Sequence, residues 1–126
     1  MKLLLDTNAL LWTMTQRDRL SPFAIGAIED EGNEVFVSVV SAWEIESKAA
    51  KEKLRAPTDL EAAIAAQRFD PLEVAMRHVY AVESLPRHHR DPFDRMLIVQ
   101  AQVEGMTLVT ADHAMRRYPV AVLPAS

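Results

Sequence analysis

Cysteine is absent from this sequence of 126 residues. Disulfides, a thiol nucleophile and zinc sites with thiolate ligands are therefore excluded. The sequence also has no apolar run near the ~20 residues that a membrane-spanning helix needs. The leucines near the start end at Asp6, after too few apolar residues for a signal peptide. We therefore expect no association with a membrane and a location in the reducing cytoplasm.

An excess of positive charge is also missing. The chain has 14 Lys and Arg against 18 Asp and Glu, which gives a net charge of -4. Domains that bind nucleic acid through their overall charge are usually basic, so this class is disfavoured. A metal-dependent nuclease is still compatible, because clustered carboxylates lower the net charge and a bound cation offsets them locally. Any contact with nucleic acid would then depend on local arginines, for which the candidates are Arg90, Arg95 and Arg116.

Length and composition fit a single domain that spans residues 1–126. The chain is 49% hydrophobic and 25% charged, as is usual for a globular protein. Its length leaves no room for a second conventional core. A chain of this size buries roughly two thirds of its unfolded surface, so it needs no covalent cross-link.

Short apolar runs alternate with helical patterns along the chain. The predicted strands are residues 2–5, 34–40, 69–73, 107–110 and 120–123. The predicted helices are residues 9–14, 21–32, 41–53, 58–67, 75–84, 91–104 and 112–116. Alternating strands and helices favour right-handed crossovers and a parallel sheet covered on both faces. We therefore predict an α/β fold, a three-layer α/β/α sandwich with a central parallel sheet.

Acidic residues follow the predicted strands or begin the helices beside them. Asp6 follows the first strand, Glu44 lies after the second, and Asp112 follows the fourth. Asp94 lies near the start of a helix that leads back into the sheet. Ligands of open parallel sheets bind at the carboxyl ends of the strands. We therefore predict that these four acids converge on one site.

Each acid also has a structural explanation. Asp6 and Asp112 are suited to cap helices. Asp91 precedes a proline and is suited to cap the helix in whose first turn Asp94 is favoured by the helix dipole. Glu44 fits a capping box with Ser41, or an ion pair with a lysine one turn further on.

Capping alone does not explain why an acid directly ends a buried strand at Asp6. The same edge of the predicted sheet also carries two oxygen-bearing side chains, Asn8 and Thr110. Oxygen ligands without cysteine indicate magnesium or manganese rather than zinc. Carboxylates on such an ion activate water and stabilise the charge that develops at a phosphoryl centre. Without a metal, the cluster would repel itself and raise the pKa of some of its members.

Four elements resemble, in order and spacing, the PIN-domain ribonucleases, and among them the VapC-type toxins of bacterial toxin–antitoxin pairs. The elements are Asp6-Thr7-Asn8, Ser41-x-x-Glu44, His89-Arg90-Asp91-Pro92-Phe93-Asp94-Arg95 and Thr110-x-Asp112. The resemblance covers nearly the whole chain. It implies an endoribonuclease that depends on Mg²⁺ or Mn²⁺ and hydrolyses the RNA backbone.

The resemblance also implies roles for individual residues and partners. Asp6, Glu44 and Asp94 would be the core acids, and Asp112 the fourth. The supporting residues would be Thr110, Asn8 and Asp91, of which Asp91 is best explained as the helix cap. The family further implies a homodimer, and inhibition by a small VapB-like antitoxin whose tail approaches the acidic site.

Two other functions remain open. A catalytically silent PIN-fold binding module is disfavoured by the retention of all four acids. An aspartate-based phosphatase usually has a second aspartate two residues after the nucleophile, where this chain has Asn8. Among the neighbouring residues, we expect His89 to be exposed in a polar loop, and Trp12 and Trp43 to pack in the core.

Overall fold

The strand Lys2–Leu5 (β1) lies at the centre of a five-stranded parallel sheet. Its three leucines are completely buried, as is typical of a parallel strand covered on both faces. The other strands are Glu34–Ser38 (β2), Asp70–Leu72 (β3), Thr107–Thr110 (β4) and Val122–Pro124 (β5). A computed structural model describes residues 1–51 and 56–126 of the chain.

In the described residues, six helices connect or flank these strands. They are Thr7–Thr15 (α1), Pro22–Glu29 (α2), Val39–Ala50 (α3), Leu60–Ala66 (α4), Met76–Glu83 (α5) and Pro92–Glu104 (α6). Two 3-10 turns, Arg17–Arg19 and Met115–Arg117, complete the described structure. Within the described residues, no helix has the length and apolar character to cross a bilayer.

Hydrophobic cores lie on both faces of the sheet. Leu3 and Leu5 point to one face and pack with residues of α1 to α4, including Leu10 and Ile45. Leu4 points to the other face and packs with residues of α5 and α6. The alternation along β1 is the period of two expected for a strand. The predicted three-layer α/β fold with a central parallel sheet is confirmed.

The strand order is β3-β2-β1-β4-β5, so the order reverses between β1 and β4. All four strand pairs are parallel, which places the carboxyl ends of the strands on one edge of the sheet. A crevice outside the carboxyl ends at the reversal point is where open α/β sheets bind ligands. Asp6 directly follows β1 at this point, and Thr110 ends β4 beside it.

The start of α3 differs from the prediction. The Ser38 hydroxyl caps the helix by accepting a hydrogen bond from the Val40 N–H at 3.1 Å, so the cap lies three residues before Ser41, the predicted one, and α3 begins at Val39. Ser41 and Glu44 therefore lie inside the helix, and the capping box proposed for them is wrong. Residues 39 and 40 belong to α3 rather than to β2. The predicted end of this helix, near residue 53, lies outside the described residues.

The ends of α6 match the sequence. The Asp91 carboxylate accepts hydrogen bonds from the N–H groups of Phe93 at 2.8 Å and Asp94 at 3.3 Å, so Asp91 is the N-cap. Gly105 follows the helix with φ 68°, a left-handed conformation that glycine adopts without the steric penalty of a side chain. The Asp91 cap fixes the first turn of α6, which contains Asp94.

Candidate active site

Asp6 both caps a helix and faces the strand reversal. It is 4% exposed. Its Oδ1 accepts a hydrogen bond from the Ala9 N–H at 2.8 Å, which caps α1. Its Oδ2 accepts one from the Thr110 hydroxyl at 2.6 Å. Asp6 can therefore cap α1 and also belong to the predicted site, because Oδ1 makes the cap hydrogen bond and Oδ2 is bound to Thr110.

Thr110 connects two of the four acids. While its hydroxyl donates to Asp6, its Oγ1 accepts a hydrogen bond from the Asp112 N–H at 2.9 Å. The Asp112 Oδ1 in turn accepts from the Ala114 N–H at 2.8 Å, which fixes the turn after β4. Thr110 is thus held in the position that a supporting residue of the site would occupy.

Glu44 is 4% exposed and has a partner on each oxygen. The Thr7 hydroxyl donates to Oε1 at 2.6 Å, and Lys48 Nζ lies 2.6 Å from Oε2. The lysine pairing was one of the alternatives open for Glu44, and it occurs. Thr7 was not among the predicted site residues, although its position directly after Asp6 at the start of α1 was a signal. It ties α1 to α3, with the Ser41 Oγ 3.2 Å from its hydroxyl.

Asp94 and Asp112 approach one another through His89. The His89 Nε2 lies 3.1 Å from the Asp94 Oδ2 and 2.9 Å from the Asp112 Oδ2. Ligand atoms of the three side chains lie within 4.8 Å of one another. The expectation that His89 is an exposed loop residue is wrong, because its side chain is only 14% exposed.

The pKa values show that the acids influence one another. Burial raises the pKa of Asp6 to about 6, and the charges of Asp112 and Glu44 add to the rise. Burial also raises the pKa of Asp94 to about 7, with further contributions from Asp91, Glu44 and Asp6. The structure therefore brings the four predicted acids into one electrostatically coupled cluster. Their role as metal ligands stays a prediction.

Asp112 behaves differently from the two acids with raised pKa values. Burial alone would raise its pKa, but hydrogen bonds from His89 and from the Ala114 N–H outweigh this effect. The pKa of Asp112 is therefore lowered from its ordinary value, and the side chain is 38% exposed. Asp112 remains charged at neutral pH at the outer side of the cluster.

The other predicted residues lie around this cluster. Asn8 is exposed on α1, and Arg90 and Arg116 are exposed on the segments beside the acids. Arg95 is committed to the protein itself: its guanidinium donates to the carbonyls of four residues, Val82, Leu85, Pro86 and His89. Arg95 thus holds the loop before α6, a structural role that the sequence did not predict. RNA contacts of these arginines stay predictions.

The donor set fits a hard divalent cation. The coupled groups are carboxylates, supported by the hydroxyls of Thr7 and Thr110, and the chain has no thiol. Magnesium and manganese prefer such oxygen ligands. The raised pKa values of Asp6 and Asp94 show that burying these charges, and placing them near one another, is costly, and a bound cation would offset that cost.

An apolar groove is lined by residues that adjoin two of the acids in the sequence. It has a volume of about 610 Å³, and its lining includes Trp43 and Phe93, which directly precede Glu44 and Asp94. Trp43 is 67% exposed and contacts Phe93 edge to face, with ring centroids 5.0 Å apart. The expectation that Trp43 packs in the core is wrong, whereas Trp12 does pack against the core.

Comparison with protein families gives one match that covers most of the chain. The model of the PIN domain matches residues 3–121. None of the curated proteins matches this sequence.

Solved structures share the fold at low sequence identity. The VapBC2 complex from Rickettsia felis, bound to a DNA fragment from its promoter, contains a chain that is 16% identical with a TM-score of 0.75, and 100% of each chain is covered. A toxin–antitoxin complex from Klebsiella pneumoniae gives 16% identity and a TM-score of 0.68, with 97% of this chain and 96% of that chain covered. The DNA-bound VapBC from Salmonella typhimurium gives 18% identity and a TM-score of 0.66, with 98% and 97% covered.

Proposed function

Because this chain belongs to the PIN domain family, we propose that it is a metal-dependent endoribonuclease and the VapC-type toxin of a toxin–antitoxin pair. The observation that carries the proposal is the cluster of four acids at the strand reversal, two of which have strongly raised pKa values. Burying so much negative charge in one place is unfavourable unless a cation is bound there. A structural cap would not require this clustering.

Asp6, Glu44 and Asp94 would hold the Mg²⁺ or Mn²⁺ ion, and Asp112 would be the fourth acid. When bound, the cation supplies positive charge that favours the ionisation of water and offsets the charge developing at the phosphorus. Neighbouring groups of the protein orient the carboxylates of Asp6 and Glu44. Thr110 and the Ala9 N–H fix the two oxygens of Asp6, and Thr7 fixes Glu44.

RNA would be held by local positive groups, since the net charge of -4 provides no general attraction. Of the three candidate arginines, Arg90 and Arg116 are exposed and available for the phosphates. Lys48 carries a further charge at the site, and its hydrogen bond to Glu44 raises its pKa. The exposed Trp43 ring beside Glu44 is suited to stack on a base, or to contact an inhibitor in the groove.

The partner would be a small VapB-like antitoxin. Support comes from the similar structures, of which the one from Klebsiella pneumoniae is a toxin–antitoxin complex. The apolar groove lined by Trp43 and Phe93 provides a surface for such an inhibitor. We further propose that the chain is one domain, forms a homodimer and works in the cytoplasm.

A cleavage assay tests this function. Protein freed of any inhibitor, by unfolding and refolding, would be incubated with a mixture of tRNA, rRNA and messenger RNA, and the new ends would be mapped. We expect cleavage at internal positions with Mg²⁺ or Mn²⁺, and none after the metal is removed with EDTA. Cleavage that persists in EDTA would refute the metal dependence. No cleavage despite demonstrated binding of Mn²⁺ would support the silent binding module instead.

A further inference from the structure

We propose that His89 is a positioning residue that holds Asp112 beside Asp94 by donating a hydrogen bond from Nε2 to Asp112, and that it is not itself a ligand of the metal. This inference rests on the proposed function, because it concerns how the site is assembled before the cation binds. It adds a residue outside the four acids, from a loop that the sequence pattern left unassigned.

We call the arrangement of His89 between the carboxylates of Asp94 and Asp112 the clamp, and the contacts of its Nε2 define it. Asp94 lies in α6, and Asp112 lies in the turn after β4, so the two carboxylates belong to separate parts of the fold. The Nε2 donates a hydrogen bond to the Asp112 Oδ2 at 2.9 Å, and the Asp94 Oδ2 contacts the same nitrogen at 3.1 Å. Two carboxylates this close repel one another, and the polar N–H bound to Asp112 and in contact with Asp94 offsets that repulsion. His89 thus brings together acids that would otherwise separate in the absence of a cation.

The other ring nitrogen determines which tautomer is present. The Asp91 N–H donates to the His89 Nδ1 at 3.1 Å. Nδ1 is therefore an acceptor without a proton, and the single ring proton lies on Nε2. A metal-bound Nε2 would require the proton to move to Nδ1, where it would face the Asp91 N–H. The backbone of the helix cap therefore selects the donor form of His89 and disfavours the ligand form.

The main chain of His89 is held as firmly as its ring. Its N–H donates to the Tyr118 hydroxyl at 2.8 Å, and that hydroxyl donates to the Pro86 carbonyl at 2.7 Å. Its carbonyl accepts from Arg95 at 3.4 Å. A loop residue with every polar group engaged is fixed in place, so the distance between the two acids is set by the fold rather than by the ion.

Binding of Mn²⁺ by calorimetry tests the clamp in three variants. His89→Ala removes the donor, and we expect Mn²⁺ to bind about 10–100-fold more weakly, as for other groups that orient metal ligands. His89→Gln places an amide N–H near the position of Nε2, and we expect it to recover most of the affinity. His88→Ala, at the exposed neighbour, is the matched control and should bind like the wild type.

Two spectra of the wild-type protein test the donor assignment without depending on any variant's stability. In the metal-free protein, imidazole ¹⁵N correlation spectra should show His89 with the proton on Nε2. With Mn²⁺ bound, electron spin echo spectra report any histidine nitrogen coordinated to the ion. We expect the spectra of the wild type and of His89→Gln to show the same nitrogen couplings, because His89 is not a ligand. A coupling that is lost in His89→Gln, a proton on Nδ1, or unchanged affinity in His89→Ala would overturn the proposal. If the wild type bound no Mn²⁺, the proposed function would fail instead, and the ¹⁵N spectrum would still decide the tautomer.

Discussion

Asp94→Asn is expected to reduce metal-dependent RNA cleavage by roughly 10²–10³-fold, the loss typical when one charge-stabilising group leaves an active site. Asparagine keeps the size and one oxygen of the side chain but removes the negative charge that would bind the cation. Asp6→Asn should lose as much, because Asp6 is the most buried aspartate of the cluster, at 4% exposure. The measurement is the initial rate of cleavage at saturating Mn²⁺, accompanied by growth arrest on expression, which both variants should relieve.

Exposed acids provide matched controls for these substitutions. Asp18→Asn makes the same chemical change on an exposed 3-10 turn, and Glu46→Gln changes an exposed acid two residues after Glu44. Both controls should cleave RNA at the wild-type rate. If Asp6→Asn and Asp94→Asn also cleaved at that rate while remaining folded, the assignment of the site would be wrong.

Without metal, the protein should be less stable at pH 8 than at pH 5. Asp6 and Asp94 have folded-state pKa values of about 6 and about 7, raised from 3.8 first by burial and then by neighbouring charges. A group whose pKa is raised on folding contributes stability that is fully present below its unfolded pKa and is lost as the pH rises through its folded pKa. The loss therefore falls between about pH 4 and pH 8. We expect the free energy of unfolding to decrease by about 2–4 kcal/mol across this window.

Urea unfolding in EDTA at a series of pH values measures this dependence. The pKa of Glu104 is lowered by hydrogen bonds, first from Arg77, and the pKa of Asp112 is lowered by hydrogen bonds from His89 and the Ala114 N–H. These two groups therefore affect stability only below about pH 4.5 and do not contribute to the change between pH 5 and pH 8. Asp94→Asn should flatten the dependence and be more stable than the wild type at pH 8. Adding Mn²⁺ at pH 8 should restore stability to the wild type but not to the variant. A wild-type protein whose stability increases from pH 5 to pH 8 in EDTA would contradict the buried acidic cluster.

Much of the fold follows from local signals in the sequence. The leucines of β1 predicted a strand buried on both faces, and the caps at Asp91 and Gly105 predicted both ends of α6. Because parallel strands share one carboxyl edge, acids placed after several strands had to lie near each other once the sheet formed. The positions of Asp6 and Asp112 beside one another depend only on this topology.

The features that sequence reasoning missed depend on packing between distant segments. Ser38 and Ser41 flank two valines, and local preference for β-branched residues in strands favoured the later start of α3. In the structure β2 instead ends at Ser38, which is the cap, and Ser41 is buried against Thr7 of α1. His89 had the features of an exposed loop residue, and its partners Asp112 and Tyr118 lie 23 and 29 residues further along the chain. No local pattern indicates contacts of that range.

Anomalous diffraction from crystals soaked in Mn²⁺ tests most directly whether the four acids form one metal site. The expected result is a manganese peak coordinated by carboxylate oxygens of Asp6, Glu44 and Asp94, with Asp112 beside it and His89 hydrogen-bonded to Asp112 rather than to the ion. Crystals of Asp94→Asn, soaked in the same way, should lose most of the peak. Manganese bound elsewhere on the protein, with the four carboxylates free of metal at saturating concentration, would contradict the site.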